Sequence, residues 1–101
     1  MLDIELLFFD GCPSWERAWE ELGRALVQLS LEATVRLRNI ADLHEDEKTG
    51  FAGSPTIRVN GRDLEGYDGP AVMACRRYPG NHNHGWPSPA LLRRRLRAAT
   101  R

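Results

Sequence analysis

The chain has 101 residues, 42% hydrophobic and 28% charged, and its fourteen basic and fourteen acidic side chains cancel. That length suits one compact domain, residues 1–101, with a core of its own, and the absence of net charge leaves no global field to draw in a nucleic acid or an anionic membrane. No apolar run approaches the ~18 residues of a spanning helix and the opening MLDIELLFFDG lacks a basic n-region, so no membrane partner and a cytoplasmic location are expected.

Leu2 to Phe9 is a short apolar run with Leu2, Ile4, Leu6 and Phe8 on one face and Leu7 and Phe9 on the other, the pattern of a strand buried on both sides. Asp10-Gly11 ends it. Beyond Cys12, apolar residues at Trp15, Ala18, Trp19, Leu22, Ala25, Leu26 and Leu29 follow helical spacing, and Pro13 suits the first helical position because its missing N–H has no intrahelical partner there. Cys12 is therefore expected at the N-cap. Ala33 to Ile40 alternates as a second strand, which completes a βαβ unit, and Asp42 to Thr49 is polar, a short helix or loop. Thr56 to Asn60 alternates again and runs into Asn60-Gly61, the dipeptide that favours a type I′ hairpin turn. The fourth strand is either the adjacent Arg62 to Glu65 or the later Val72 to Tyr78. Ser88-Pro89 then caps a closing helix, Ala90 to Ala99, with Leu91, Leu92, Leu96 and Ala99 inward.

The resulting class is α/β in the order β-α-β-(α)-β-β-α, a four-stranded mixed sheet flanked by helices, with a parallel pair first and an antiparallel hairpin second. A cysteine capping the helix after the first strand lies near the unpaired N–H groups of Ser14 and Trp15 and at the positive end of the helix dipole, both of which favour thiolate over thiol. A reactive or ligand-binding Cys12 is the reading this placement supports, with an inert buried cysteine as its rival. Two cysteines in a reducing compartment are free, catalytic or incidental rather than a structural staple.

GCPSW after a strand, GSPTIRVNG before a hairpin and the later ACRRY together resemble the thioredoxin-like superfamily, and more narrowly small bacterial thioredoxin- or glutaredoxin-related proteins with GCPxW, GSPTI and ACRxY stretches. The resemblance runs from Leu2 to Tyr78 and takes in the closing helix. It implies that Cys12 is the attacking cysteine of a CxxC-type site, that Pro55 follows a cis peptide bond, and that Ser54 offers its backbone N–H and C=O to an extended substrate such as glutathione or a peptide. The second cysteine of CxxC is Trp15 here, so the local dithiol is missing; Trp15 either faces a ligand or joins Trp19 in the core. GRDLEGYD resembles the glutaredoxin segment that holds the γ-glutamyl end of glutathione, which carries only Asp68 over to this chain.

A fourth-strand Cys75 would stand two strand spacings, ~10 Å, from the end of the first strand, whereas a disulfide needs Cα atoms within about 7 Å. A resting Cys12–Cys75 disulfide is not expected on that ground; a resolving role for Cys75 after local movement stays open beside that of a small buried residue. Running antiparallel to the third strand, Val72 to Tyr78 would finish beside Pro55. His82 and His84 sit in a loop among Pro79, Gly80, Gly85 and Pro87 at a spacing that matches no zinc pattern, so no metal is expected. Arg93 to Arg97 reads as a solvated helix end rather than a nucleic-acid site.

The expected function is thiol/disulfide chemistry by the Cys12 thiolate, with release by an external thiol or by Cys75. It needs no cofactor, and glutathione is the co-substrate the resemblance implies. The alternative is a non-catalytic module that holds a peptide, a protein partner or a soft metal ion in the same cleft.

Overall fold

The computed structural model describes residues 1–100 and consists of β1 (Leu2–Phe8), α1 (Ser14–Gln28), β2 (Ala33–Asn39), β3 (Thr56–Val59), β4 (Arg62–Asp63) and α2 (Pro89–Ala99), with single 3-10 turns at Ile40–Asp42, Glu45–Glu47 and Pro79–Asn81. The strands form one mixed sheet in the order β2-β1-β3-β4. β1 is parallel to β2, with Ile4 opposite Val35, and antiparallel to β3, with Leu6 opposite Ile57. β3 and β4 form the hairpin. Asn60 and Gly61 both take positive φ, 51° and 83°, which is what a type I′ turn demands of its two central residues.

Periodicity explains the packing. Ala18, Leu22 and Ala25 of α1 and Leu92 and Leu96 of α2 fall on the inward stripes of their helices and meet Leu2, Ile4 and Leu6 of β1 and Ile57 of β3 in one buried cluster. Full burial of each such Leu or Ile is worth about 1.5–3 kcal/mol. Ser88 caps α2, its hydroxyl accepting from Leu91 N at 3.1 Å. On the opposite face a smaller cluster gathers Leu7, Ile40, Leu43 and Phe51. The rest of that face carries ion pairs, with Arg38 at 2.9 Å from Glu5 and Arg36 at 3.3 Å from Asp3.

Two expectations are corrected, Cys12 at the N-cap and a β1 buried on both sides, and the open choice of fourth strand is settled. Helix α1 starts at Ser14 with Pro13 as N-cap, so Cys12 stands one residue before the cap. The fourth strand is Arg62–Asp63, the short arm after the Asn60-Gly61 turn, and Val72 to Tyr78 is not a strand. Both helices, α1 and α2, pack on one face of the sheet, that of Leu2, Ile4 and Leu6. β1 is accordingly buried along one face but on the other only at Leu7, with Asp3 exposed and Glu5 half-buried.

Candidate functional site

Gly11, at φ +99°, turns the chain out of β1 and delivers Cys12 to the mouth of α1. Cys12 is 2% exposed and is disulfide-bonded to Cys75, with the two Cα atoms 5.8 Å apart. Cys75 itself is exposed. The expectation of no resting disulfide is thus overturned, and the reason is topological. The strand-spacing estimate put Cys75 two strands away within the sheet, whereas its segment leaves the sheet and passes across the end where β1 and β3 meet α1.

That segment, residues 69–78, is a strap laid along residues 50–54. Its backbone hydrogen bonds run in sequence: Gly50 N to Gly69 O at 2.8 Å, Val72 N to Phe51 O at 2.8 Å, Ser54 N to Ala74 O at 2.9 Å and Arg76 N to Ser54 O at 2.9 Å. The Ser54–Cys75 bridge is parallel, not antiparallel to the following strand as the sequence suggested. Ser54 therefore does offer its N–H and C=O to an extended chain, but the chain is the protein's own. Its hydroxyl accepts from Phe9 N at 3.2 Å, which ties the end of β1 to the same point. The Ser54–Pro55 bond is cis.

Two side chains anchor the strap where it leaves Cys75. The buried guanidinium of Arg76 donates to both carboxylate oxygens of Asp63, at 2.5 and 2.9 Å, and to Glu65 at 2.9 Å. The Asp63 side chain is fully buried, and its Oδ2 also accepts from Glu65 N and Tyr67 N, so one carboxylate fixes both the turn after β4 and the strap. Tyr78 is buried and donates from its hydroxyl to Pro55 O at 2.8 Å, with the Arg76 guanidinium 4.5 Å from its ring centre. Burial pushes Arg76 down, but hydrogen bonds to Asp63 and Glu65 and the surrounding negative charge outweigh it, so its pKa is raised and the cation is held. For Tyr78 burial pushes the phenol pKa up, against the pull of Arg76. Residues of ACRRY and residues of GSPT thus form one joint.

No protein-family model, curated protein or solved structure matches the chain. The joint must be understood from its own chemistry. A disulfide that links the start of a helix to a strap with no helix or strand of its own can open without breaking the sheet. The first turn of α1 has no side-chain cap, and Cys12 stands two residues before its first residue, Ser14.

The remaining candidates divide. Trp15 is half-buried and stacks on Phe8, ring centres 4.5 Å apart, beside the main core, which is the packing alternative. Asp68 is exposed and lines a groove with Arg58, Arg62 and Arg95, apart from the one that Cys75 lines. His84 stacks on Trp86 at 4.5 Å, and the Arg17 guanidinium lies 5.0 Å from the centre of the Trp86 ring. Among the described residues no group of three or more His, Cys, Asp or Glu side chains is placed to hold a metal ion. Asp63, Arg76 and Tyr78 were not singled out by sequence reasoning. Arg76 and Arg77 look alike in sequence, yet only Arg76 is buried.

Proposed function

We propose that this protein has a thioredoxin-like fold and carries out thiol–disulfide exchange at Cys12, with Cys75 as its intramolecular partner. The observation that carries this reading is the Cys12–Cys75 bond itself, set between the uncapped start of α1 and an exposed strap. The element order and the mixed sheet, a parallel pair followed by an antiparallel hairpin, support the fold assignment. Exchange requires a sulfur that leaves readily, and a thiolate at a helix start leaves more readily than an ordinary one. In the cytoplasm, the location this reading carries with it, such a bond is transient and catalytic or redox-sensing rather than structural. The reaction takes two equivalents of a small thiol such as glutathione: the protein disulfide becomes two thiols and the small thiol becomes its disulfide. In the reverse direction the reduced pair consumes a disulfide substrate, so the one-cysteine scheme gives way to a two-cysteine one.

A glutathione-coupled hydroxyethyl disulfide assay tests the proposal. Turnover is expected for the protein and its loss for the double variant Cys12→Ser/Cys75→Ser; equal rates for the two reject it. The binding-module reading draws on a separate observation, that the backbone groups of Ser54 already hold an extended segment. A partner peptide would have to displace residues 74–76, and binding by the reduced protein without turnover would select that reading.

A further inference from the structure

We propose that Cys75, not Cys12, is the sulfur that meets external thiols, so that the mixed disulfide forms on the strap and Cys12 is the leaving group. This rests on the exchange reading above and reverses the roles that the resemblance implies. Attack on a disulfide runs in line with the S–S bond, from behind the sulfur that is attacked. Cys75 is exposed and lines a groove of about 510 Å³, open to solvent, with Ala52, Gly66, Tyr67, Arg77 and Pro79. Cys12 by contrast is 2% exposed, between the end of β1 and the start of α1, so a thiol in solution does not reach it.

The chemistry of departure points the same way. When a thiolate RS⁻ attacks Cys75 Sγ, the R–S–S–Cys75 bond forms, the Cys12–Cys75 bond breaks and its electron pair leaves on Cys12 Sγ. That negative charge appears at the uncapped first turn of α1, where the helix dipole and the N–H groups favour it. Attack on Cys12 would expel the charge onto Cys75 instead, a strap residue that belongs to no helix. A second RSH then attacks the mixed disulfide, releases RSSR and leaves Cys75 as a thiol. In the oxidising direction Cys75 attacks the substrate disulfide first and Cys12 completes the exchange.

The strap's anchors fit this division. Arg76 and Tyr78 hold the chain immediately after Cys75 to Asp63 and Pro55, so the attacked sulfur keeps its place while the bond to Cys12 breaks. Upstream, Val72 and Met73 are 41% and 60% exposed, so the segment before Cys75 is held by the backbone bonds of Val72 N and Ala74 O rather than by buried side chains.

Sulfite locates the attacked sulfur, because it cleaves a disulfide into one stable S-sulfonate and one free thiolate that can be alkylated afterwards. The oxidised, folded full chain is treated with sulfite, alkylated, digested and mapped by mass spectrometry. The S-sulfonate is expected on the Cys75 peptide and the alkyl group on the Cys12 peptide, with a preference on the order of tenfold or more. An S-sulfonate on Cys12, an even mixture, or cleavage only in denaturant each overturns the assignment. The two proposals fail separately. Sulfonate on Cys12 with disulfide turnover intact overturns this assignment alone, whereas sulfonate on Cys75 without turnover leaves the accessible sulfur established and removes the redox reading.

Discussion

In the body of the molecule Leu6 of β1, Leu22 of α1 and Leu92 of α2 meet in one apolar cluster, whereas in the strap over residues 69–78 only Arg76 and Tyr78 are fully buried. The body is held by many interchangeable apolar contacts, which degrade gradually. The strap is held by a few directional bonds, each with one named partner, and it carries the disulfide. The lesson is that a segment without an apolar core of its own is fixed by interactions that are either made or lost.

Arg76→Ala breaks that contrast most severely. It leaves the Asp63 carboxylate buried without its cation, a loss that costs about 3–5 kcal/mol in comparable buried pairs. The expected outcome is a large drop in unfolding midpoint together with faster reduction of the Cys12–Cys75 bond than global unfolding accounts for. A loss under about 1 kcal/mol, the range of an exposed pair, would show that the pair is not holding the strap. Leu6→Ala is the matched change in the body and should cost about 3 kcal/mol through lost burial and a residual cavity. Its disulfide should be reduced as in the parent under native conditions, so the two variants separate stability from strap docking although both melt early.

The same contrast governs what the sequence discloses. β1, α1, the Asn60-Gly61 hairpin and α2 are legible because each follows from a local rule: a run bounded by Asp-Gly, a stripe at helical spacing, a turn dipeptide, a capping serine before proline. The strap is not legible in this way, because its bonds join residues far apart in the chain. Nothing in the order of residues marks Arg76 rather than Arg77 as the partner of Asp63, or says that Ser54 would be occupied from within. Gly69-Pro70 and Pro79-Gly80 bracket Val72 to Tyr78 as turn residues bound a strand, so the local punctuation does not warn against one. Taken as a strand, the segment gave the wrong distance for Cys75 and hence the wrong expectation for the disulfide.

Gly53→Ala probes the backbone side of the joint. Gly53 has φ +104°, and a Cβ there would lie 2.7 Å from Ala74 O and 3.2 Å from the Arg76 Cβ, so the strap must shift as well as the residue strain. A cost of about 1–3 kcal/mol is expected from the backbone conformation alone. Amide hydrogen exchange distinguishes a local from a global effect. The Ser54 and Arg76 amides, which bond across the joint, should exchange faster while those of β1 keep their protection. Unchanged protection at Ser54 and Arg76 would mean that the strap does not depend on the close approach at Gly53.

Tyr78→Phe has the smallest effect at neutral pH and the most specific signature. It removes the hydroxyl that donates to Pro55 O and leaves that carbonyl without its partner, which should cost about 1 kcal/mol. Burial raises the folded phenol pKa above its ordinary value of 10.0. Above that pH the unfolded chain releases the phenolic proton while the folded chain keeps it, so the folded state binds more protons and stability falls as pH rises. The phenylalanine variant lacks this term. Unfolding free energies measured at about pH 7 and again above about pH 10 should therefore show the parent ahead at neutral pH and the gap closing in alkali. A gap that stays constant across that range would mean that Tyr78 does not hold its proton through the fold, and the joint would rest on Arg76, the Ser54 backbone bonds and the disulfide.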